Sequence, residues 1–447
     1  MAGLTIDNPV TLTEAFASNR IIPGDVIKLR AGTYTGVFNS RLSGVSGKKI
    51  WVTNYENERV VIDGGITQFT GGNVIYDGLE FTNSSLERVT QPEDRPAGLT
   101  LAAPGVEARH LVVHNVGHPG IGFWGGCVGS EIYGCVIYHN GIYQPREGLP
   151  NWTRGSAIYA QGQGGQLIED TITFRNFTTG GKSYGEGARI SNFTWRGVIA
   201  FDNASYNLFI MALLEMENIT LENSVIYSGH GVYPAIGIPY INEGVIHANF
   251  NVHDNYVVVN DINTGYYIGN FALPTFKNNV LVNRIGGRVL KWKTGIEVPV
   301  GDWNNNTYYG TFDYNGTVCA TIADWRTESG WDADSTMLES LSGVFYQLRI
   351  DKYDANKAYL AIANHDLAES VNIDVSSFLE IGDTYQVIDA QNYFGDPVAI
   401  GENTTGTITI PVNLTEVAVP VGNVSADFLA NNVHTGPFFN ALILKKT

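Results

Sequence analysis

SEIYGCVIYHN (residues 130–140), QLIEDTITFRN (166–176) and WRGVIAFDN (195–203) are one phrase written three times. Ile132, Val136 and Tyr138 precede Asn140; Ile168, Ile172 and Phe174 precede Asn176; Trp195, Ile199 and Phe201 precede Asn203. Apolar residues alternating with polar ones have the period of a strand, and a closing asparagine suits a turn. The closing asparagines stand 36 and 27 residues apart, a step at which one supersecondary unit repeats and stacks on the next. The phrase predicts a solenoid of stacked parallel strands.

Outward from this stretch the same grammar recurs at NVIYDGLEFTN, HLVVHNVGH, MENITLENSVIYSG, NVHDNYVVVND and PTFKNNVLVNR. Strands this short give coils of three faces, with inward side chains stacking as apolar ladders. Wider steps mark insertions at 84–109, 141–156, 177–187, 204–215, 229–245 and 261–273, and solenoid insertions tend to share one face. Residues 11–19 predict a short capping helix with Thr11 or Thr13 as N-cap, laid over the open end of the core. From Gly310 the pattern changes. A short helix around Ile322 to Thr327, ending near Gly330, reads as a connector, and the strands after it predict an antiparallel sandwich. The expected division is a β-helix with N-terminal cap over 1–310, a connector over 311–343 and a β-sandwich over 344–447.

Composition fits an all-β chain. The 51 glycines and 23 tyrosines among 447 residues supply tight turns and pleated surface. A net charge of −17 argues against a nucleic-acid partner, which needs clustered Lys and Arg. No stretch approaches the roughly 20 apolar residues of a membrane helix, and nothing near Met1 reads as a signal peptide. Cys127, Cys135 and Cys319 have no metal spacing and are expected as small buried hydrophobes. The N-x-[ST] triplets at Asn83, Asn151, Asn176, Asn192, Asn203 and Asn218 mostly close coils and read as turn residues, not glycan acceptors.

The opening Pro23-Gly24-Asp25, with Ile27, Leu29, Gly32 and Tyr34, resembles the first coil of right-handed parallel β-helix proteins of the pectate-lyase-like superfamily. GSAIYAQG (155–162), WRTESGWDADS (325–335) and YQVIDAQNYFGDPV (385–398) extend the resemblance to bacterial and phage β-helix proteins that carry a C-terminal sandwich. It implies that fold and a polysaccharide ligand. It does not imply one activity, because the superfamily holds lyases, hydrolases, epimerases and binding-only tailspikes. The resemblance places His at the position of Ser156 and Asn at that of Gly162, two departures that bear on catalysis.

A polysaccharide lyase needs a base for the proton α to a uronate carboxylate and a cation to neutralise that carboxylate. GGKSYGEGAR offers Lys182, Tyr184 and Arg189; REGLPNWTRGSAIYAQ offers Arg146, Arg154, Tyr159 and Gln161. Only 27 residues are basic, so two basic clusters in neighbouring glycine-rich insertions are informative. Lys182, Arg189, Tyr159 and Glu186 are expected to share one groove. A glycoside hydrolase needs two carboxyl groups instead. Among Glu147, Glu169, Asp170, Glu186 and Asp202, the insertion residues Glu147 and Glu186 are the better candidates, while Asp170 and Asp202 sit where turns form. His110, His114 and His118 flank one strand, with His118 best placed to face the groove; His230 and His253 are also turn-adjacent. No linear metal motif is present. Coil-edge aspartates and carbonyls are compatible with Ca²⁺, so no cofactor is expected beyond that ion.

Trp124, Tyr143, Trp152, Tyr159, Tyr184, Tyr206, Tyr233, Tyr240, Tyr266 and Tyr267 lie in or beside the insertions. Flat rings suit sugar faces, so Arg154, Gln161, Tyr184, Trp152, Tyr143, Tyr233 and His230 are expected to bind substrate. The reading is an extracellular protein that binds a polysaccharide and cleaves it as a lyase or hydrolase. The alternative is a tailspike-like virion component, built as a homotrimer or with other virion subunits, that attaches to a glycan without catalysis.

Overall fold

In the computed structural model, residues 9–447 are described apart from 92, 146, 148–151, 186, 230–232, 239–244, 261–263, 270, 273 and 295–300. The chain winds as a parallel β-helix with three sheets. In the first sheet, a path of eleven strands runs from Val26–Leu29 to Trp303–Asn304. A second runs from Gly32–Asn39 through Val136–Tyr138 and Ile172–Phe174 to Thr336–Met337, and a third from Leu99–Leu101 through Ile158–Ala160 and Gly181–Gly185 to Thr311–Tyr314. Val60–Gln68 is long enough to serve both, pairing with Glu80–Thr82 at one end and Leu99–Leu101 at the other.

Inward residues stack in register. On the first sheet the ladder is Val52, Tyr76, Ala108, Ile132, Ile168, Trp195, Leu221, Val252, Phe276 and Trp303. All are buried in one core, which removes apolar surface from water at every coil. The closing asparagines stack too. Asn140 donates its amide to Oδ1 of Asn176 at 3.0 Å, Asn176 to Asn203 at 2.9 Å and Asn203 to Asn207 at 3.0 Å. A second ladder at another corner runs Asn255, Asn279, Asn306 and ends on Asp332. Asn176 and Asn203 are therefore sealed inside the corner, and Cys127, Cys135 and Cys319 are buried free thiols.

Both ends of the core are plugged. Helix Leu12–Ala17, capped by Thr11 with Glu14 in a capping box, sets Phe16 against Tyr76. At the other end helix Ile322–Ser329 stops at Gly330 in the left-handed conformation. It lays Trp325 on Phe312, while Trp331 stacks on Trp303. The expected connector is thus part of the β-helix. Thr311–Tyr314 pairs with Arg288–Trp292 and Thr336–Met337 with Thr307–Tyr308, because the last coil needs a lid as much as the first.

The sandwich has a five-stranded antiparallel sheet in the order Val344–Ile350, Lys357–Asn364, Phe439–Lys446, Thr384–Asp389, Ala399–Glu402, backed by Ser370–Asp374 and Thr407–Pro411. It does not trail off the end of the solenoid. Its inner face, with Tyr359, Ala361, Ala363, Phe439, Ala441 and Ile443, packs on outward residues of the second sheet, among them Val136, Tyr138, Ile172, Phe174, Ile199 and Phe201. Tyr138, Phe174 and Phe201 stack ring on ring with centroids 4.9 Å apart. Charged groups seal the margin: Arg349 pairs with Asp170, Lys352 with Glu131 and Glu169, and His110 bridges Asp77 and Asp351. No described helix is long and apolar enough to cross a membrane.

Candidate functional site

With the second sheet covered by the sandwich, the third presents an outer face on which the described side chains Tyr159, Lys182, Tyr184, Phe209 and Tyr267 are half-buried. In each of its strands the flanking residues point inward, as Ile158 and Ala160 do around Tyr159, so the residue between them faces out. Strand pairing lines these up as Thr100, Gly122, Tyr159, Lys182, Phe209, Gly237, Tyr267, Lys291 and Asp313. Successive members are about 4.8 Å apart. Two residues further along the strands stand Trp124, Gln161 and Tyr184. Gly181 is an inward position kept small because a Cβ there would lie 2.5 Å from the Trp195 ring.

The rings form a continuous strip. Trp124 meets Tyr159 at 5.1 Å between centroids, Tyr159 meets Tyr184 at 6.3 Å, and Tyr184 meets Phe209 at 6.1 Å. Tyr206 continues it, 4.8 Å from Phe209 and 5.2 Å from Tyr233, and occupies the space a side chain at 237 would take. The Lys182 ammonium lies at the middle, 4.0 Å from the Tyr184 ring centre, 5.5 Å from Tyr159 and 5.7 Å from Phe209. Ring faces attract a cation, so these contacts hold the ammonium among them. His118 stands edge-on to Tyr159, and its Nδ1 accepts a hydrogen bond from the Ser156 backbone N–H at 3.1 Å. The ring proton of the neutral imidazole therefore sits on Nε2. Burial, reinforced by the charges of Arg154 and Lys182, pushes the His118 pKa down to about 3, so it is neutral at ordinary pH. At the far end Lys291 and Arg288 flank Asp313, at 3.7 and 3.3 Å.

Of the residues expected to share a groove, Tyr159 and Lys182 are direct register neighbours, with Tyr184 and Gln161 beside them. Arg154, in a hairpin of Thr153–Arg154 with Ile142–Tyr143, is near enough to act on His118. Trp152 adjoins that hairpin and is partly exposed. Exposed Tyr233 flanks the strip through Tyr206. Arg189 departs from the expectation: it lies past the strand end, where it pairs with Glu215 of the next coil at 3.2 Å. Tyr143 departs as well, because its hydroxyl is held by Ser425 at 2.9 and 3.2 Å and its ring packs on Phe177. Glu147 is an exposed turn residue, whereas Glu186, His230, Arg146 and Tyr240 lie outside the described residues. Tyr266 is an inward core residue.

Glu169, Asp170 and Asp202, weighed above as acids, are committed elsewhere. The first two bind Arg349 and Lys352 of the sandwich, and Asp202 pairs with Arg175 and accepts from the Gly229 N–H. His110 and His114 face the second sheet's side, on Asp351 and Glu80. Ser156 is buried, accepting from the Thr179 hydroxyl at 2.8 Å, so this position does not present a side chain to the strip. Gly162 has φ of +129°, which an asparagine would adopt only under strain. Among the described residues no group of three His, Cys, Asp or Glu is placed to hold a metal ion. Phe209 and Lys291 were not anticipated; their signal is the register, visible only once the strands are paired.

No family model matches the chain, and no curated protein matches it. Among solved structures it is similar to pectate lyase Pel9A, at 15% identity over 68% of this chain and 75% of that one, with a TM-score of 0.43. A mannuronic acid specific polysaccharide family 6 lyase from human gut microbiota is 14% identical over 74% of this chain and 89% of that one, with a TM-score of 0.36. Dettilon tailspike protein is 10% identical over 90% and 88%, with a TM-score of 0.33. The parallel β-helix rests on this chain's own strand pairing.

Proposed function

We propose that the outer face of the third sheet holds an extended polysaccharide and that the Tyr159–Lys182 pair cleaves it by β-elimination at a uronate. The supporting observation is the strip itself: a row of ring faces with one ammonium seated among three of them. Sugar C–H faces stack on the rings, and Lys182, aided by Arg154, neutralises the uronate carboxylate. Tyr159, acting as its phenolate, takes the proton from the carbon α to that carboxylate. The glycosidic C–O bond at the β carbon breaks, a C=C bond forms between the α and β carbons, and the Tyr159 phenol so formed returns the proton to the departing oxygen. The Nε2–H of neutral His118 supplies a hydrogen bond beside Tyr159. Of the carboxylates weighed for hydrolysis, Glu169, Asp170 and Asp202 are held in ion pairs or backbone contacts away from the strip, which supports elimination over a hydrolysis that would use those three. The proposed setting is outside the cell, on a secreted protein or a virion.

The test is a panel of acidic and neutral polysaccharides, assayed for ultraviolet-absorbing unsaturated ends and for new reducing ends. Lys182→Ala and Tyr159→Phe should each lower the rate of unsaturated-end formation at least about 100-fold. New reducing ends without unsaturation would establish hydrolysis instead. Retention of a glycan with neither product, together with a trimeric mass by light scattering, would establish the attachment reading.

A further inference from the structure

The second sheet changes character along its length. Its outward rows are apolar and covered by the sandwich from Val136 and Tyr138 onward. Over the first coils the same rows read Thr33, Val61, Glu80 and Asp63, Thr82, His114: Thr33 is exposed, Val61, Asp63 and Thr82 are half-buried, and Glu80 and His114 are buried in the floor, with Phe394 of the sandwich edge-on to the His114 ring at 5.9 Å. These residues, with Gly32, Arg59 and Ser84, line an open cleft of about 420 Å³. Phe394 of the sandwich is 44% exposed and stands over it, 4.2 Å from the Arg59 guanidinium.

The polar groups are fixed in place. Arg59 grips Glu80 with Nε and an Nη at 2.6 and 3.0 Å, and Ser84 gives its N–H and hydroxyl to Asp63 at 2.8 and 2.7 Å. Asn115 accepts at Oδ1 from Arg88 and from the Val421 N–H, so its amide nitrogen donates to His114 Nδ1 at 2.8 Å. The ring proton of His114 is then on Nε2, directed at Glu80 3.0 Å away. With Nδ1 bonded to Asn115 and Nε2 to Glu80, the imidazole ring is fixed in orientation. Two carboxylates against one guanidinium disfavour an anion, whereas oriented acceptors among three hydroxyls, beside an aromatic rim, suit a neutral polyol.

We propose that this cleft is a second saccharide site, taking one or two neutral hexose residues, separate from the strip on the third sheet. It binds and does not cleave. The probe is saturation-transfer NMR on the full chain with glucose, galactose, N-acetylglucosamine and cellobiose. At least one sugar should receive saturation from the wild type and equally from Lys182→Ala. Asp63→Asn should reduce that transfer at least fivefold with the melting temperature unchanged, and Phe394→Ala, on the exposed rim, should do the same if Asp63→Asn does not fold. The proposal is overturned by a wild type that saturates none of the four, by transfer indifferent to both cleft variants, or by transfer lost in Lys182→Ala.

Discussion

Asn176 shows how much one residue can hold in a solenoid corner. Its Oδ1 accepts from the backbone N–H and the side chain of Asn140, and its Nδ2 reaches Asn203 and the carbonyls of Ile137 and Phe174. Asn176→Ala strands several buried partners at once, and unpaired buried groups are costly. The expected loss is on the order of 3 kcal/mol, read as a lower denaturation midpoint in guanidinium. Gly237 works by absence: a Cβ there would stand 2.5 Å from Cε1 of Tyr206. Gly237→Ala should push Tyr206 off the strip and weaken glycan binding roughly three- to tenfold, about the worth of one aromatic contact, with stability little changed. Titration calorimetry with whichever glycan the panel identifies measures it.

At the scale of elements, the seam between the second sheet and the sandwich combines an apolar centre with an ionic margin. Burial alone would lower the pKa of His110, but hydrogen bonds to Asp351 and Asp77 raise it above 6.5. A raised histidine contributes stability that is complete below its unfolded value near 6.5 and is lost as pH climbs through the folded value. Burial would raise Asp351, yet His110 and the Tyr359 hydroxyl hold it well below 3.8, so its share is lost only in strong acid. The stability gap between wild type and His110→Gln should therefore be widest between about pH 4 and 6.5 and close as pH rises further. Thermal unfolding across that range checks it; a gap constant with pH would remove His110 from the seam's electrostatics.

For the whole molecule, the sandwich decides which face of the β-helix is open. It covers the second sheet's apolar rows, the charged margin of the first sheet joins it through Glu131 and Glu169, and the third sheet keeps its ring-lined surface half-buried among the described residues. A chain ending at residue 343 would bare Tyr138, Phe174, Phe201 and Tyr227 together, a patch far beyond what a soluble surface tolerates. Such a truncation should aggregate or elute as large species on size exclusion, while the full chain runs as a discrete species. Monodisperse elution of the truncated chain would show that the docked face is dispensable.

Local sequence determined the parallel β-helix through its repeating phrases, the helix at residues 12–17 through its cap, the buried cysteines through their lack of metal spacing, and the antiparallel character of the C-terminal strands through their alternation. Those are matters of local period, capping and turn chemistry, written within a few residues of one another. Tyr159, Lys182 and Tyr184 could be picked out as glycine-rich insertion residues, yet not shown to be neighbours. Register between coils set that, and it also brought in Phe209 and Lys291. Arg189, Tyr143, Asp170 and Glu169 look equally available along the chain. Only the folded molecule commits them, to Glu215, Ser425, Arg349 and Lys352, because each of these partners is supplied by another coil or by the C-terminal region, and no spacing rule links residues 170 and 349.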